Sequence, residues 1–176
     1  MKILGIDPGF ERLGIAVLEK NKSEKKERVI FSECFKTSAK LNFSLRLNLI
    51  GEEVKKIIKE HKPEVFAIET LFLNTNQKTA MRVAEARGVM VYEASRAGIK
   101  IFEASPLQIK IATTGYGRAN KEQVKKMVEM LINNPERGSE ESQRKAAYDG
   151  SDDELDAIAI ALTAFAHLKP KPANFF

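Results

Sequence analysis

Hydrophobic residues along the chain fall into short apolar runs and longer segments with helical spacing. Residues 2–7 and 12–19 are short and apolar, and the Pro8-Gly9 pair between them is typical of a tight turn. A third apolar run covers residues 28–37. Because short polar or turn-forming segments separate the three runs, the pattern predicts a meander of three strands.

The remainder of the chain alternates between helical and strand-like patterns. Residues 42–61 carry apolar side chains every three or four positions among lysines and glutamates, which is typical of an amphipathic helix. Only a short connecting segment is predicted around Pro106. Further helices are predicted at 77–97, from Asn120 onward and at 152–167, and further strands at 64–69 and 100–103. This order predicts an α/β fold with a mixed five-stranded sheet, a three-strand meander plus two parallel strands, flanked by helices.

The length and composition indicate one globular domain. The chain has 176 residues, of which 43% are hydrophobic and 30% charged, and we expect residues 1–168 to form that domain. Residues 133–152 are rich in turn-forming and charged residues, which predicts a long flexible loop, and residues 169–176 are expected to be a flexible C-terminal tail. The chain lacks an apolar run of membrane-spanning length and a signal peptide, so we expect a cytoplasmic protein.

Charge and ligand chemistry narrow the possible functions. The formal net charge of +5 permits a nucleic-acid partner without establishing one. Cys34 is the only cysteine, so an intrachain disulfide is impossible, and we expect it to be a small buried apolar side chain. One cysteine and two histidines cannot form a zinc finger. Any metal would therefore be held by carboxylates, which favours Mg²⁺ or Mn²⁺.

Two acidic residues follow apolar strands. Asp7 ends the first strand and Glu69 ends the fourth, and the helix between them allows these strands to be parallel neighbours. Parallel neighbours would bring both carboxylates to the same edge of the sheet, where open α/β sheets bind ligands. Each residue taken alone has a simpler explanation, since Asp7 could cap the turn and Glu69 could be an exposed strand end.

The last helix contributes two more acids on one face, Asp153 and Asp156. Ser151 and the acids that follow it also form a capping box that interacts favourably with the helix dipole, which accounts for Asp153 but not for Asp156. Four acids gathered in one site would repel one another, and divalent cations reverse that repulsion. Together they favour a site where two ions activate a water molecule and stabilise the leaving oxygen of a phosphodiester.

The acidic motifs resemble a known family. Four segments carry the resemblance to the bacterial RuvC Holliday junction resolvases, over nearly the whole chain and in order: Gly5-Ile6-Asp7-Pro8-Gly9, Ala67-Ile68-Glu69, Glu85-Ala86-Arg87-Gly88 and Asp153-Glu154-Leu155-Asp156-Ala157. The resemblance implies a ribonuclease H-like fold and a homodimer that nicks four-way DNA junctions symmetrically during homologous recombination and DNA repair. It also implies cooperation with the RuvA–RuvB branch-migration complex.

The resemblance further implies roles for particular residues. The catalytic, metal-binding acids would be Asp7, Glu69, Asp153 and Asp156, holding two Mg²⁺ per subunit, with Mn²⁺ as a substitute. Phe72 resembles an aromatic residue that stacks on an unpaired base, although a core position is the more usual fate of a phenylalanine. Lys110 and Lys121 resemble DNA-contacting lysines, and Arg118 could join them, although a solvated charge is the more common role of any single lysine.

The helix at 77–97 is a candidate dimer interface or a sheet-packing helix, and sequence alone leaves both readings open. Its small-residue surface comprises Ala80, Val83, Ala84, Ala86, Gly88 and Val91. The segment at 133–150 is longer than is usual in the family, which makes Asp152 a competitor for the role of Asp153. Glu85 stands where glutamine is expected, and no functional conclusion follows from it.

Three other functions compete with junction resolution. The nearest is a ribonuclease H-like nuclease acting on RNA, of the YqgF type. An actin-like phosphotransferase or ATPase also opens with a Gly-Ile-Asp strand, but this chain is short for two lobes and has no Walker-type phosphate loop. A non-catalytic junction-binding module would require the four acids to have no chemical role.

Overall fold

The described part of the chain contains five strands and five helices around one sheet. A computed structural model describes residues 1–21, 23–24, 26–71, 77–132 and 150–168. The strands are β1 (Lys2–Asp7), β2 (Arg12–Glu19), β3 (Arg28–Lys36), β4 (Val65–Glu69) and β5 (Lys100–Ala104). The helices are α1 (Phe43–His61), α2 (Gln77–Arg96), α3 (Pro106–Thr114), α4 (Lys121–Ile132) and α5 (Asp152–Leu168).

The sheet has the order β3-β2-β1-β4-β5 and confirms the predicted mixed topology. β1 pairs antiparallel with β2 and parallel with β4, and β4 pairs parallel with β5. Ile6 lies opposite Ile68, so Asp7 and Glu69 follow at the same carboxyl edge of the sheet. The register also places Asp7 opposite Gly14 and Gly14 opposite Cys34.

Helices cover both faces of the sheet and create two hydrophobic clusters. One cluster joins the sheet to α1 and α2 through side chains such as Leu4 and Ile6. The other joins it to α3, α4 and α5 through residues such as Ile3. Neighbouring residues of β1 face opposite sides, so a strand buried on both faces is apolar throughout, as the sequence pattern shows.

Helix α5 packs directly on the backbone of β1 and β2. A methyl group added at Gly5 would overlap the carbonyl oxygen of Ala157 and approach Ala161 Cβ to 2.9 Å. A methyl group at Gly14 would overlap the carbonyl oxygen of Asp153. The two glycines therefore permit the close approach that brings the first turns of α5 beside the end of β1.

Helix α3 was absent from the sequence prediction, which was wrong to treat the segment at Pro106 as a short connection. Ser105 caps the helix by accepting from the Gln108 backbone at 3.2 Å, Pro106 occupies the first turn, and Gly115 ends the helix with a positive φ of 73°. These are ordinary helix-boundary signals. They were hidden because the apolar residues of this segment do not lie on one face.

The remaining predictions concern the start of α4, the packing of α2, the long loop, the C-terminal tail and membrane-spanning segments. The predicted start of a helix at Asn120 is confirmed, since Asn120 caps α4: its backbone donates to Gln123 and the Gln123 backbone donates to Asn120, each at 2.9 Å. On α2, Ala86 is buried against the sheet and belongs to the core rather than to a free interface. The predicted flexible loop, up to residue 149, and the predicted tail at 169–176 lie outside the described residues. Within the described ranges, none of the helices is long and apolar enough to cross a membrane.

Candidate active site

Three of the four predicted acids line one cavity at the carboxyl edge of the sheet. Asp7 comes from the end of β1, Glu69 from the end of β4 and Asp156 from the second turn of α5. The cavity has a volume of about 250 Å³. Its other lining residues are Lys110, Lys121, Pro106, Ile109, Val124 and Ile160. The fold therefore assembles an acidic site, with two lysines beside it, from segments far apart in sequence.

The carboxylates in this cavity hold their protons more tightly than isolated acids. Burial raises the pKa of Asp7 to about 7, with further contributions from the negative charges of Asp156, Glu69 and Asp153. Burial and the charge of Asp156 likewise raise the pKa of Glu69. Burial also raises the pKa of Asp156. A site that resists ionisation in this way favours any cation that can neutralise it.

Lysine side chains supply part of that neutralising charge. Lys121 Nζ lies 3.1 Å from Asp156 Oδ2, and its charge opposes the rise in pKa at all three cavity acids. Lys110, on α3, also lines the cavity. Arg118 is exposed in the turn between α3 and α4 and does not line it. Two of the three predicted DNA-contacting cations therefore lie at the acidic site.

Asp153 lies beside the cavity, paired with a residue that the sequence analysis missed. Its Oδ2 accepts a hydrogen bond from Arg12 Nε at 2.8 Å and one from the Cys34 thiol at 3.5 Å. Burial raises the pKa of Asp153, but these hydrogen bonds outweigh it and the net shift is downward. The prediction that Cys34 is purely a buried apolar group was wrong, because it is half-buried and bonds to an acid.

The structure also separates Asp153 from its competitor Asp152. Asp152 is exposed and pairs with Lys125 on α4 at 2.8 Å. Asp153 contributes to the raised pKa of Asp7, whereas Asp152 is not among the causes of that shift. The pairing of β1 with β2 could have indicated that Arg12 lies near the acids, because Gly14 of β2 lies opposite Asp7 and Arg12 is the first residue of β2. These contacts favour Asp153 as the acid associated with the cavity.

Arg87 is a second residue whose place the sequence did not predict. It extends from α2 to the ends of two strands, donating from Nε to the Glu69 carbonyl oxygen at 3.2 Å and pairing with Glu103 at 2.9 Å. This contact ties the backbone of Glu69 to a helix. Phe72, the predicted base-stacking residue, lies outside the described residues.

The donor chemistry of the site fits a hard divalent cation. Carboxylate oxygens are the ligands that Mg²⁺ and Mn²⁺ prefer, and the mutual repulsion of the cavity acids would be relieved by such an ion. Across the ranges that the structure describes, no three metal-binding side chains already stand in coordinating positions.

The raised pKa of Asp7 predicts how the metal-free protein responds to pH. The folded state holds a proton that the unfolded state releases above pH 4, so the free energy of unfolding should fall as pH rises from about 4 to 7. Asp7→Asn should remove most of this fall and raise the melting temperature at pH 8, measured by thermal melts in EDTA. Added Mg²⁺ should stabilise the wild type more than the variant.

Asp152→Asn is the matched control for these melts. Its carboxylate has a pKa held below the ordinary value by the hydrogen bond from Lys125, so its amide should not stabilise the protein at pH 8. A melting temperature of Asp7→Asn below that of the wild type at pH 8 would contradict the electrostatic account of the cavity.

Comparison with known proteins assigns the chain to a family. The family profile described as crossover junction endodeoxyribonuclease RuvC matches residues 3–164. A relative of the same name from Thermosipho melanesiensis is 42% identical over 161 residues, covering 92% of this chain and 94% of that protein. The structure of T. thermophilus RuvC in complex with Holliday junction substrate superposes with a TM-score of 0.80 at 32% identity, covering 95% of this chain and 94% of that one.

A more distant structure, the yeast mitochondrial Holliday junction resolvase, superposes with a TM-score of 0.64. It is 16% identical and covers 92% of this chain and 76% of that one, so it shows a common fold alone. The family profile and the T. melanesiensis relative each extend over nearly the whole chain. The chain therefore belongs to the RuvC family of crossover junction endodeoxyribonucleases.

Proposed function

We propose that this protein is a Holliday junction resolvase, a structure-selective endonuclease that nicks four-way DNA junctions symmetrically during homologous recombination and DNA repair. The observation that carries the proposal is the cavity at the sheet edge, where three acids with raised pKa values lie beside two lysines. Membership of the RuvC family and the likeness to a relative solved with Holliday junction substrate support the same substrate.

The metal ligands in this proposal are Asp7, Glu69, Asp153 and Asp156. They would hold two Mg²⁺ per subunit, with Mn²⁺ as a substitute, because hard oxygen donors of this kind suit both ions. Bound divalent ions supply activation of water and stabilisation of the leaving oxygen in phosphodiester hydrolysis. Arg12 holds Asp153 through Oδ2, at 2.8 Å from its Nε, so Asp153 would bind an ion through Oδ1 or by replacing that contact.

The chain's own cations would hold the DNA backbone against this site. Lys110 and Lys121 line the cavity and can contact the phosphates on either side of the cleaved bond, while exposed Arg118 extends the positive surface. Lys121 would exchange Asp156 for a phosphate as ions neutralise the acid. Phe72 would stack on an unpaired base near the junction point.

The decisive experiment incubates the protein with a mobile synthetic four-way junction, with and without Mg²⁺. Two nicks at symmetric positions, dependent on the metal and absent from linear duplex of the same sequence, are expected. Cleavage of structured RNA in preference to the junction would favour the RNA-directed alternative. Tight junction binding with no cleavage in Mg²⁺ or Mn²⁺ would favour the non-catalytic module.

We also propose that the protein acts as a homodimer assembled through α2. A four-way junction is approximately two-fold symmetric, so a two-fold dimer with one site per subunit matches the need for paired cuts. Ala84, Gly88 and Tyr92 recur every four residues on the exposed side of α2, and Tyr92 and Met81 remain 58% and 65% exposed. Small residues between larger apolar ones allow two helices to approach closely.

A charge placed in this surface should break the dimer. Gly88→Glu is expected to convert the protein to a monomer in sedimentation experiments, because pairing would bury an uncompensated carboxylate. Junction cleavage should fall, and the remaining nicks should occur singly rather than in pairs. Asn48→Glu, on the exposed side of α1, is the control and should stay dimeric. A dimeric Gly88→Glu would exclude this surface.

The proposed activity has wider implications for partners and location. Cooperation with the RuvA–RuvB branch-migration complex would supply junctions at cleavable positions, and action on chromosomal DNA would place the protein in the cytoplasm. Adding RuvA and RuvB should therefore change the distribution of cuts along a mobile junction. An unchanged distribution would argue against that cooperation and would leave the nuclease activity itself intact.

A further inference from the structure

A second cavity lies on the face of the sheet that α1 and α2 cover, whereas the acidic site lies beside α3, α4 and α5. The second cavity has a volume of about 380 Å³ and is lined by Phe10, Thr79, Met81, Arg82 and Glu85. Phe10, which lines this cavity, follows Asp7, which lines the acidic site, by three positions, so their Cα atoms are at most about 11 Å apart. A nucleic-acid strand seated at the acidic site can therefore reach this second cavity.

Arg82 is held in place by two aromatic rings. Its guanidinium lies 5.3 Å from the centroid of Phe43 and 5.9 Å from that of Phe10, and these rings pack edge to face at 5.8 Å. Arginine stacked on aromatic faces is fixed in orientation while the N–H groups at its edge stay available. The stacking therefore holds the planar guanidinium of Arg82 in one orientation beside the cavity.

The hydrogen bonds of Arg82 differ from those of Arg46, whose guanidinium lies 4.9 Å from the centroid of the Phe10 ring. Arg46 is 4% exposed and donates to the Phe10 carbonyl oxygen at 3.1 Å and to Thr37 Oγ1 at 2.8 Å, which anchors the loop after Asp7. Arg82 is exposed, and in the ranges described here no carboxylate forms an ion pair with it. Arg46 thus anchors the loop, whereas Arg82 is exposed and no hydrogen bond from its guanidinium to another described residue is present.

We infer that Arg82 is a phosphate-binding residue for the DNA strand that leaves the acidic site on the α2 side. This inference rests on the proposed function, and it adds a contact on the side of Asp7 opposite Lys110 and Lys121. A guanidinium offers paired N–H donors that match phosphate oxygens, and the neighbouring Thr79 lies in the first turn of α2, where the helix dipole favours an anion.

Glu85 allows a second test of the inference, in which the expected change in junction affinity is opposite to that at Arg82. It lines the same cavity one turn along α2 from Arg82, without an ion pair between them in the described structure. Its negative charge would repel a phosphate held by Arg82. Removing the charge of Glu85 should therefore tighten junction binding, whereas removing the charge of Arg82 should weaken it.

The experiment measures junction affinity in EDTA by fluorescence anisotropy over a range of salt concentrations. Arg82→Gln should weaken binding about fivefold to tenfold at low salt and reduce the slope of log K against log salt by about 0.9, as expected for one lost phosphate contact. Arg82→Lys should retain most of the slope, and Glu85→Gln should raise the affinity about twofold to fivefold.

Arg96→Gln is the matched control. Arg96 lies at the other end of α2 and also stacks on an aromatic ring, 5.5 Å from the centroid of Tyr92, but it pairs with Glu93 at 3.3 Å. Its loss should leave the salt slope unchanged. Equal slopes for Arg82→Gln and Arg96→Gln would overturn the inference, as would an affinity loss in Arg82→Gln without a change in slope, which indicates a structural role.

Failure of the proposed function would look different from failure of this inference. A wild-type protein that neither binds nor cuts a four-way junction would refute the junction resolvase. A wild type that cuts the junction, combined with Arg82→Gln indistinguishable from Arg96→Gln, would refute only the phosphate contact at Arg82.

Discussion

Replacing Asp7 with asparagine is expected to lower the rate of junction cleavage by at least about 10³-fold, equivalent to about 4 kcal/mol of transition-state stabilisation. Asp7 is the cavity acid that most strongly feels its neighbours, since burial and three other carboxylates raise its pKa to about 7. An amide there keeps the shape of the side chain but removes the charge that would hold divalent ions. Single-turnover cleavage of a labelled junction measures the effect.

Junction binding by Asp7→Asn should stay within about threefold of wild type at moderate salt, because the phosphate contacts come from basic residues. Asp152→Asn is the control, since Asp152 is exposed and pairs with Lys125 outside the cavity. It should cut at close to the wild-type rate, while Asp153→Asn should be severely impaired. A fully active Asp7→Asn would refute the metal site, and an inactive Asp152→Asn with an active Asp153→Asn would reverse the assignment of the two acids.

Adding a single methyl group at Gly5 should cause the largest loss of stability among simple substitutions near the site. The new Cβ of Gly5→Ala would overlap the carbonyl oxygen of Ala157, so α5 would have to move away from β1. Overpacking of this kind costs about 3 kcal/mol, which corresponds to a fall in melting temperature of about 6–12 °C for a chain of this size. Thermal melts and urea titrations measure it.

The same substitution should reduce cleavage even at temperatures where the variant is folded, because α5 carries Asp156 and Asp153. Gly117→Ala is the matched control. Gly117 lies in the turn between α3 and α4, where the added methyl group would approach Leu107 Cδ1 to 2.7 Å, and this is the end of a side chain that is 57% exposed and can move aside. The control should therefore melt close to the wild-type temperature. An unchanged melting temperature for Gly5→Ala would contradict the tight packing of α5 on the sheet.

Local sequence patterns predicted most of the secondary structure but were misleading at α3. Short apolar runs identified β1 to β5 and helical spacing identified the other helices, because strands covered on both faces are apolar throughout whereas helices bury one face. In α3, Ile109 is buried while Leu107 and Ile111 are 57% and 50% exposed, so its apolar residues do not mark the buried side. Only the capping residues at its ends indicated a helix.

The sequence identified the acids of the candidate site but did not identify the side chains that contact them. The acids at strand ends could be grouped because parallel strands share a carboxyl edge, and Asp7 and Glu69 meet there. Nothing in the spacing of Asp153 indicated that Arg12, distant in sequence, would hold it at 2.8 Å. This pairing depends on how the first turn of α5 crosses the start of β2, where Arg12 lies.

The amino-acid sequence by itself determined the order of the elements other than α3, the mixed sheet and the residues able to hold a divalent ion, because these follow from periodicity, turn residues and side-chain chemistry. The tertiary structure decided which of those residues share a cavity, that Asp153 pairs with Arg12, and that Arg82 stacks on Phe10 and Phe43. These features depend on the packing of helices against the sheet, which brings together residues that no local pattern connects.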